Sequence, residues 1–210
     1  MPRLRFPTRS VLSWLCGAAI VALSSQSHAG GVTSTYSTTA SKDCRKLSSL
    51  RIDDSDYALE YACRGPAGLT VLKNENDLRE TVSIGRNAKA AAQQPAAAQG
   101  FGPFNSTTDT AEWRMAADGK PFAMIQRWHI ADNDDPGKDG RPRTKQLLVV
   151  TRLPPGAVCH TAYIDVTANP DANALARQAA DEGAQAFTCD RDKISIAGNP
   201  GRATALVLPK

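Results

Sequence analysis

The chain has 210 residues, with 25 Lys or Arg against 21 Asp or Glu, a formal balance of +4. Three of those bases, Arg3, Arg5 and Arg9, lie in a leader-like segment without an acid, and setting it aside leaves 22 against 21, or +1. A near-neutral chain makes no electrostatic case for nucleic acid or an anionic membrane. An apolar share of 41% with 22% charged residues excludes wholesale disorder and suits one domain with its own core.

Residues 1–29 have the three parts of a secretory signal: the basic start, the apolar run from Val11 to Leu23, and Ser27-His28-Ala29 as a small-x-small cleavage site. The apolar run falls well short of the roughly 20 residues that a membrane span needs. Cleavage near Ala29 is expected, giving a periplasmic or secreted protein without membrane insertion, and Cys16 would leave with the signal. Residues 30–41 are rich in Ser, Thr and Gly without a period and predict a flexible lead-in. Residues 42–210 then form a single disulfide-stapled domain.

Cys44, Cys63, Cys159 and Cys189 remain, an even number in an exported chain, and predict two disulfides. A strand over 159–166 carries the chain away by roughly 26 Å at strand rise. A helix over 170–187 returns it by about 27 Å. Cys189 therefore arrives beside Cys159, which leaves Cys44 to pair with Cys63. A zinc site would need close ligand pairs that this sequence lacks.

Along the chain, residues 57–63, 69–73 and 80–85 predict a small antiparallel unit, with Asn74-Glu75-Asn76-Asp77 as the turn between the last two. Residues 88–98 are an Ala and Gln tract broken by Pro95 and read mainly as a connector, followed by Gly100-Phe101-Gly102-Pro103-Phe104. Asp118-Gly119 supplies a two-residue hairpin turn that sets Trp113 opposite Met124 and Met115 opposite Phe122, with all four on one face. Strands over 122–131, 146–152 and from Cys159 continue a four-stranded meander. Asn169 caps a helix with Pro170 at its first position, whose small-residue stripe of Ala172, Leu175, Ala176, Ala179 and Gly183 can lie close against a sheet. Ile194 with Ile196, and Leu206 with Leu208, offer final strands. The expected fold is α+β: mainly an antiparallel meander with one C-terminal helix packed on the sheet.

Tyr61-Ala62-Cys63-Arg64-Gly65, Val82-Ser83-Ile84-Gly85 after Asp77-Leu78-Arg79, Gly100-Phe101-Gly102-Pro103-Phe104-Asn105, Val149-Val150-Thr151-Arg152-Leu153 and Cys159-His160-Thr161-Ala162-Tyr163 together resemble a group of exported alphaproteobacterial proteins with no assigned activity. The resemblance covers roughly residues 57–190. It implies periplasmic residence and carries no catalytic residue over. Tyr61 and Cys63 also give a fainter similarity to periplasmic inhibitors of c-type lysozyme, small β-rich disulfide proteins.

Chemistry-bearing residues are few. After the leader only His129 and His160 remain as histidines, and the meander holds them too far apart to share a metal. Asp132, Asp134, Asp135 and Asp139 invite a calcium reading, but Gly137, Pro136 and Gln146 fall where ligands should be, and Lys138 and Arg141 intrude. A solvated hairpin loop over 132–143, built from turn formers, is the better account. Phe101 and Phe104, in their glycine-rich connector, are candidates to contact a partner, although such phenylalanines more often pin a loop onto its own core. No nucleophile elbow, phosphate-binding loop or dinucleotide fingerprint occurs. These residues point to a non-catalytic binding module for a protein or glycan of the envelope, with no cofactor; His129, Phe101, Phe104 and the four aspartates are its candidate contacts. A small hydrolase using the four aspartates is the alternative.

Overall fold

The computed structural model describes Met1, residues 31–51 and residues 57–208; the expected signal segment, with Cys16, and Gly30 lie outside the described residues. Strand β1 (Thr33–Thr38) and a 3-10 turn at Ser41–Asp43 precede an antiparallel unit of β2 (Arg45–Arg51), β3 (Tyr57–Arg64), β4 (Thr70–Asn76) and β5 (Arg79–Gly85). Helix α1 (Ala88–Ala92) and a 3-10 turn at Pro95–Ala98 lead to β6 (Asn105–Met115), β7 (Pro121–Pro136), β8 (Pro142–Arg152) and β9 (His160–Asp165). Helix α2 (Ala172–Gly183), β10 (Ser195–Ile196) and α3 (Arg202–Val207) complete the order. The strands make two sheets, β1-β6-β7-β8-β9-β10 and β2-β3-β4-β5. The protein is a strand-rich mixture of α and β with the disulfides Cys44–Cys63 and Cys159–Cys189.

The six-stranded sheet is more than a meander. Strands β6 to β9 are consecutive antiparallel neighbours, but β1 is added at one edge and β10 runs parallel to β9 at the other. Residues 33–38, expected to be unstructured, pair with β6 from Thr33↔Met115 to Thr38↔Thr110. Their order comes from distant partners: the Trp113 indole N–H donates to the Ser37 hydroxyl at 2.9 Å, and the Ser34 hydroxyl meets Glu112. A polar edge strand shows no apolar alternation, so the pattern that reveals other strands is missing here.

Residues 202–207 form α3 where a strand was expected. The Asp165 carboxylate accepts the Ala203 N–H at 2.7 Å, and the Thr204 hydroxyl accepts the Gly201 N–H at 2.9 Å, so donors of the first turn are satisfied from outside and inside the segment. Helix α2 begins at Ala172 with Asp171 at its cap position and ends at Gly183, inside the expected limits. The Asn169 side chain is spent elsewhere, donating to the carbonyls of Asp165 and Asn199 and accepting the Asn199 N–H at 2.8 Å.

The β6–β7 turn has three residues rather than two. Ala116 N–H bonds to the Lys120 carbonyl, with Gly119 at φ +78°, the left-handed third position that a glycine occupies without a steric penalty. Trp113 faces Met124 as expected, but Met115 faces Pro121, and the register shift leaves Phe122 without a partner. Phe122 accordingly turns to the other face and packs with α2, away from Trp113 and Met124.

Three layers result. The four-stranded sheet supplies Cys63, Val71, Val82 and Ile84 to a core shared with Trp113, Met124, Trp128, Ile130 and Val149 of the larger sheet. On the larger sheet's opposite face, Ile125, Leu148, Val150 and Ile164 meet Ala172, Ala176 and Ala180 of α2. Small residues let the helix approach closely, and two bidentate ion pairs fix it to β6: Arg177 with Glu112 and Arg114 with Asp181. Both disulfides join the pairs that the path of the chain predicts.

Candidate functional site

Three of the four aspartates are tied together by cations: Arg202 bridges Asp132 and Asp134, and Lys145 lies between Asp132 and Asp135. Strand pairing continues to Pro136↔Pro142, so the expected 132–143 loop shrinks to a turn closed by Gly137 N–H to the Arg141 carbonyl, 2.7 Å. Asp132 points into the protein and is buried. Arg202 of α3 grips it with Nε at 2.7 Å and Nη2 at 2.5 Å, holding its carboxyl below the usual carboxylate range. Asp135 is likewise held low by the Lys145 ammonium at 2.5 Å. Asp134 is exposed and pairs with Arg202, while Asp139 accepts the Arg141 N–H within the turn. A carboxylate held ionised by a cation is a poor proton donor. Among the described residues no three His, Cys, Asp or Glu side chains converge on a metal position.

His160 and Phe101 belong to the core. Phe101 is 5% exposed and packs edge-on against Trp128 at 5.0 Å and Tyr163 at 5.6 Å, which removes it from the surface contacts expected of it. His160 is 1% exposed, lies against the same rings, and has Nδ1 3.0 Å from the Tyr163 hydroxyl. Burial lowers its pKa to about 3 and raises that of the Tyr163 phenol, so the pair is neutral near pH 7. A bulge after Val150↔Ala162 sets His160 opposite Thr151 rather than Arg152. His129 stands opposite Gln146, and the two histidines do not meet.

Phe104 and His129, in contrast, share one cleft of about 310 Å³ at an end of the four-stranded sheet, with Leu78, Glu75, Ser106 and Thr144. Leu78 is the residue that sequence reasoning missed. Strand β4 runs to Asn76, so the turn falls on Asp77-Leu78 with φ +48° and +56°, the left-handed pair of a two-residue hairpin. A leucine is seldom found there, because its Cβ crowds the backbone, and backbone strain of this kind clusters at functional sites. The Leu78 carbonyl accepts the Asn105 N–H at 2.9 Å, and the Phe104 carbonyl accepts the Ala131 N–H at 2.8 Å. The Arg79 guanidinium lies 4.7 Å from the Phe104 ring centroid, held by the Gly102 carbonyl at 2.8 Å and by Asp77. Two apolar side chains, 60% and 42% exposed, are thus presented on backbone that is tied down on both sides.

The cleft floor is polar and satisfied. Glu80 is buried, pairs with Lys73 at 3.0 Å, and accepts the Thr107 N–H and hydroxyl at 2.7 and 2.6 Å. Asn105 accepts the Glu80 N–H and donates to the Pro103 carbonyl at 2.9 Å. With these hydrogen bonds made inside the protein, the floor positions the rim.

No protein-family model, no curated protein and no solved structure matches the chain.

Proposed function

We propose that the protein is a non-catalytic binding module of the periplasm, in keeping with its resemblance to exported alphaproteobacterial proteins, and that the Leu78–Phe104 end engages a protein or glycan of the envelope. The observation that carries this reading is the exposure of two large apolar side chains on a rigid turn and connector, beside His129. Apolar groups ordered before binding lose little conformational entropy when a partner covers them, which is how a few residues come to dominate an interface. Two disulfides suit an oxidising compartment, and no helix among the described residues is long and apolar enough to cross a membrane. The cation-paired state of Asp132, Asp134 and Asp135 supports binding over hydrolysis at the aspartate hairpin.

The test is quantitative capture from periplasmic extract with wild type, Leu78→Asp and Phe104→Ala, followed by titration of the purified captured component. A component that binds wild type and is lost by both variants supports the reading. Equal capture by all three proteins overturns it. Inhibition of a c-type lysozyme, measured by cell-wall lysis, checks the inhibitor version directly.

A further inference from the structure

At the opposite end of the four-stranded sheet, a groove of about 540 Å³ runs across its outer face. We propose that this groove binds the phosphate groups of a sugar-sized ligand carrying two or more of them. The disulfide Cys44–Cys63 creates the arrangement. Cys63 is buried and faces the shared core, with the two Cα atoms 4.4 Å apart. Side chains alternate along a strand, so the residue after each cysteine turns to the other face. Those residues are Arg45 and Arg64, both exposed and both lining the groove. Arg45 sits opposite Ala62 and Arg64 opposite Thr70, which places the two guanidinium groups on adjoining strands of a covalently clamped ladder.

Lys42, from the 3-10 turn before the disulfide, adds a third cation to the wall. Among the described residues none of the three has an ion-pair or hydrogen-bond partner. The one carboxylate in the wall, Asp43, accepts the Thr38 hydroxyl at 3.1 Å. Asn87 spends its side-chain oxygen on the Ala90 N–H at 2.9 Å, which leaves its NH₂ donors for the groove. Three cations against one carboxylate in a concave space repel one another until an anion enters, and the field is concentrated there although the chain as a whole is near neutral. Arginine forks match tetrahedral oxyanions bidentately, and the ammonium supplies a point charge. A groove of about 540 Å³ has room for a sugar carrying more than one phosphate, and three cations supply charge for more than one.

The site lies at the other end of the sheet from Leu78 and Phe104, so it stands or falls apart from the function proposed above. The experiment is calorimetric titration of the full mature chain with glucose 1,6-bisphosphate at low and moderate salt, using wild type, Arg45→Gln/Arg64→Gln, Arg45→Lys/Arg64→Lys and Leu78→Asp. The expected result is saturable one-to-one binding that weakens with salt, drops by about tenfold or more in the glutamine double variant, recovers in part with lysines, and is unchanged in Leu78→Asp. Vesicles of cardiolipin, a lipid with two phosphates, in phosphatidylcholine separate the sources: arginine-dependent binding that the bisphosphate displaces identifies a lipid headgroup, and absence of vesicle binding with bisphosphate binding intact identifies a soluble phosphosugar. No saturable binding of the bisphosphate, equal affinity in the glutamine double variant, or tighter binding of a single-stranded oligonucleotide would overturn the assignment.

Discussion

Acid should destabilise this protein first through His160. Its imidazole is 1% exposed among Phe101, Trp128 and Tyr163, and its folded pKa lies at about 3 because burial disfavours the charged ring. An unfolded histidine titrates near 6.5. As pH falls below that value, the unfolded chain takes up the proton while the folded chain does not. The stability is therefore fully present above about pH 6.5 and is lost progressively as pH falls toward the folded value. The slope approaches 2.303RT per pH unit between the two pKa values, so lowering the pH from 7.5 to 4.5 should remove roughly 2–3 kcal/mol. Urea unfolding across that range measures it, with His160→Phe/Tyr163→Phe as the reference. That double variant keeps the aromatic volume, removes the titrating ring, and leaves no buried phenol without its partner. His129 is present in both proteins and cancels in the difference, and Asp132 and Asp135, held low by Arg202 and Lys145, contribute only at lower pH. Parallel stability profiles for the two proteins, or an NMR titration of the His160 ring centred near pH 6.5, would refute the reasoning.

Cys159→Ala with Cys189→Ala should leave Cys44 bonded to Cys63 and lower stability by roughly 2–5 kcal/mol, read by non-reducing peptide mapping and urea unfolding; free thiols at Cys44 and Cys63 in the variant, or a peptide joining Cys63 to Cys159 in the wild type, would contradict it. Arg202→Met should lower the Tm by stranding the buried Asp132 carboxylate, and Asp132→Asn added to it should restore part of the loss, whereas additive effects would show that the two side chains are uncoupled. Gly65→Ala should cost roughly 1–3 kcal/mol because its Cβ would lie 2.8 Å from the Trp113 indole, while Gly102→Ala, with nothing within 4 Å, should be near neutral in the same assay. Calcium titration followed by calorimetry should show no tight site at the aspartate hairpin, since cations already occupy Asp132, Asp134 and Asp135; a micromolar affinity lost in Asp135→Ala would overturn that reading.

What the amino-acid order determined alone is whatever depends on local periodicity and chain length. The alternation in 113–115, the turn residues Asp118-Gly119 that lead into 122–131, the apolar run 147–150 and the small-residue stripe from Ala172 each announced an element, because local patterning is a property of the segment itself. The disulfide pairing followed from equal lengths of strand and helix between Cys159 and Cys189. The tertiary structure decided everything that rests on distant partners. β1 is ordered by β6 and by the Trp113 indole, α3 by the Asp165 carboxylate, and neither cue is visible in the segment that it orders. A single unpaired residue after the β6–β7 turn sent Phe122 to the helix side, since one step of register exchanges faces. Phe101 and Phe104 look alike in their glycine-rich connector, yet one fills the core and the other stands at a cleft with His129 and Leu78. That choice depends on which of the two reaches Trp128 and Tyr163, a matter of three-dimensional distance that no spacing along the chain encodes.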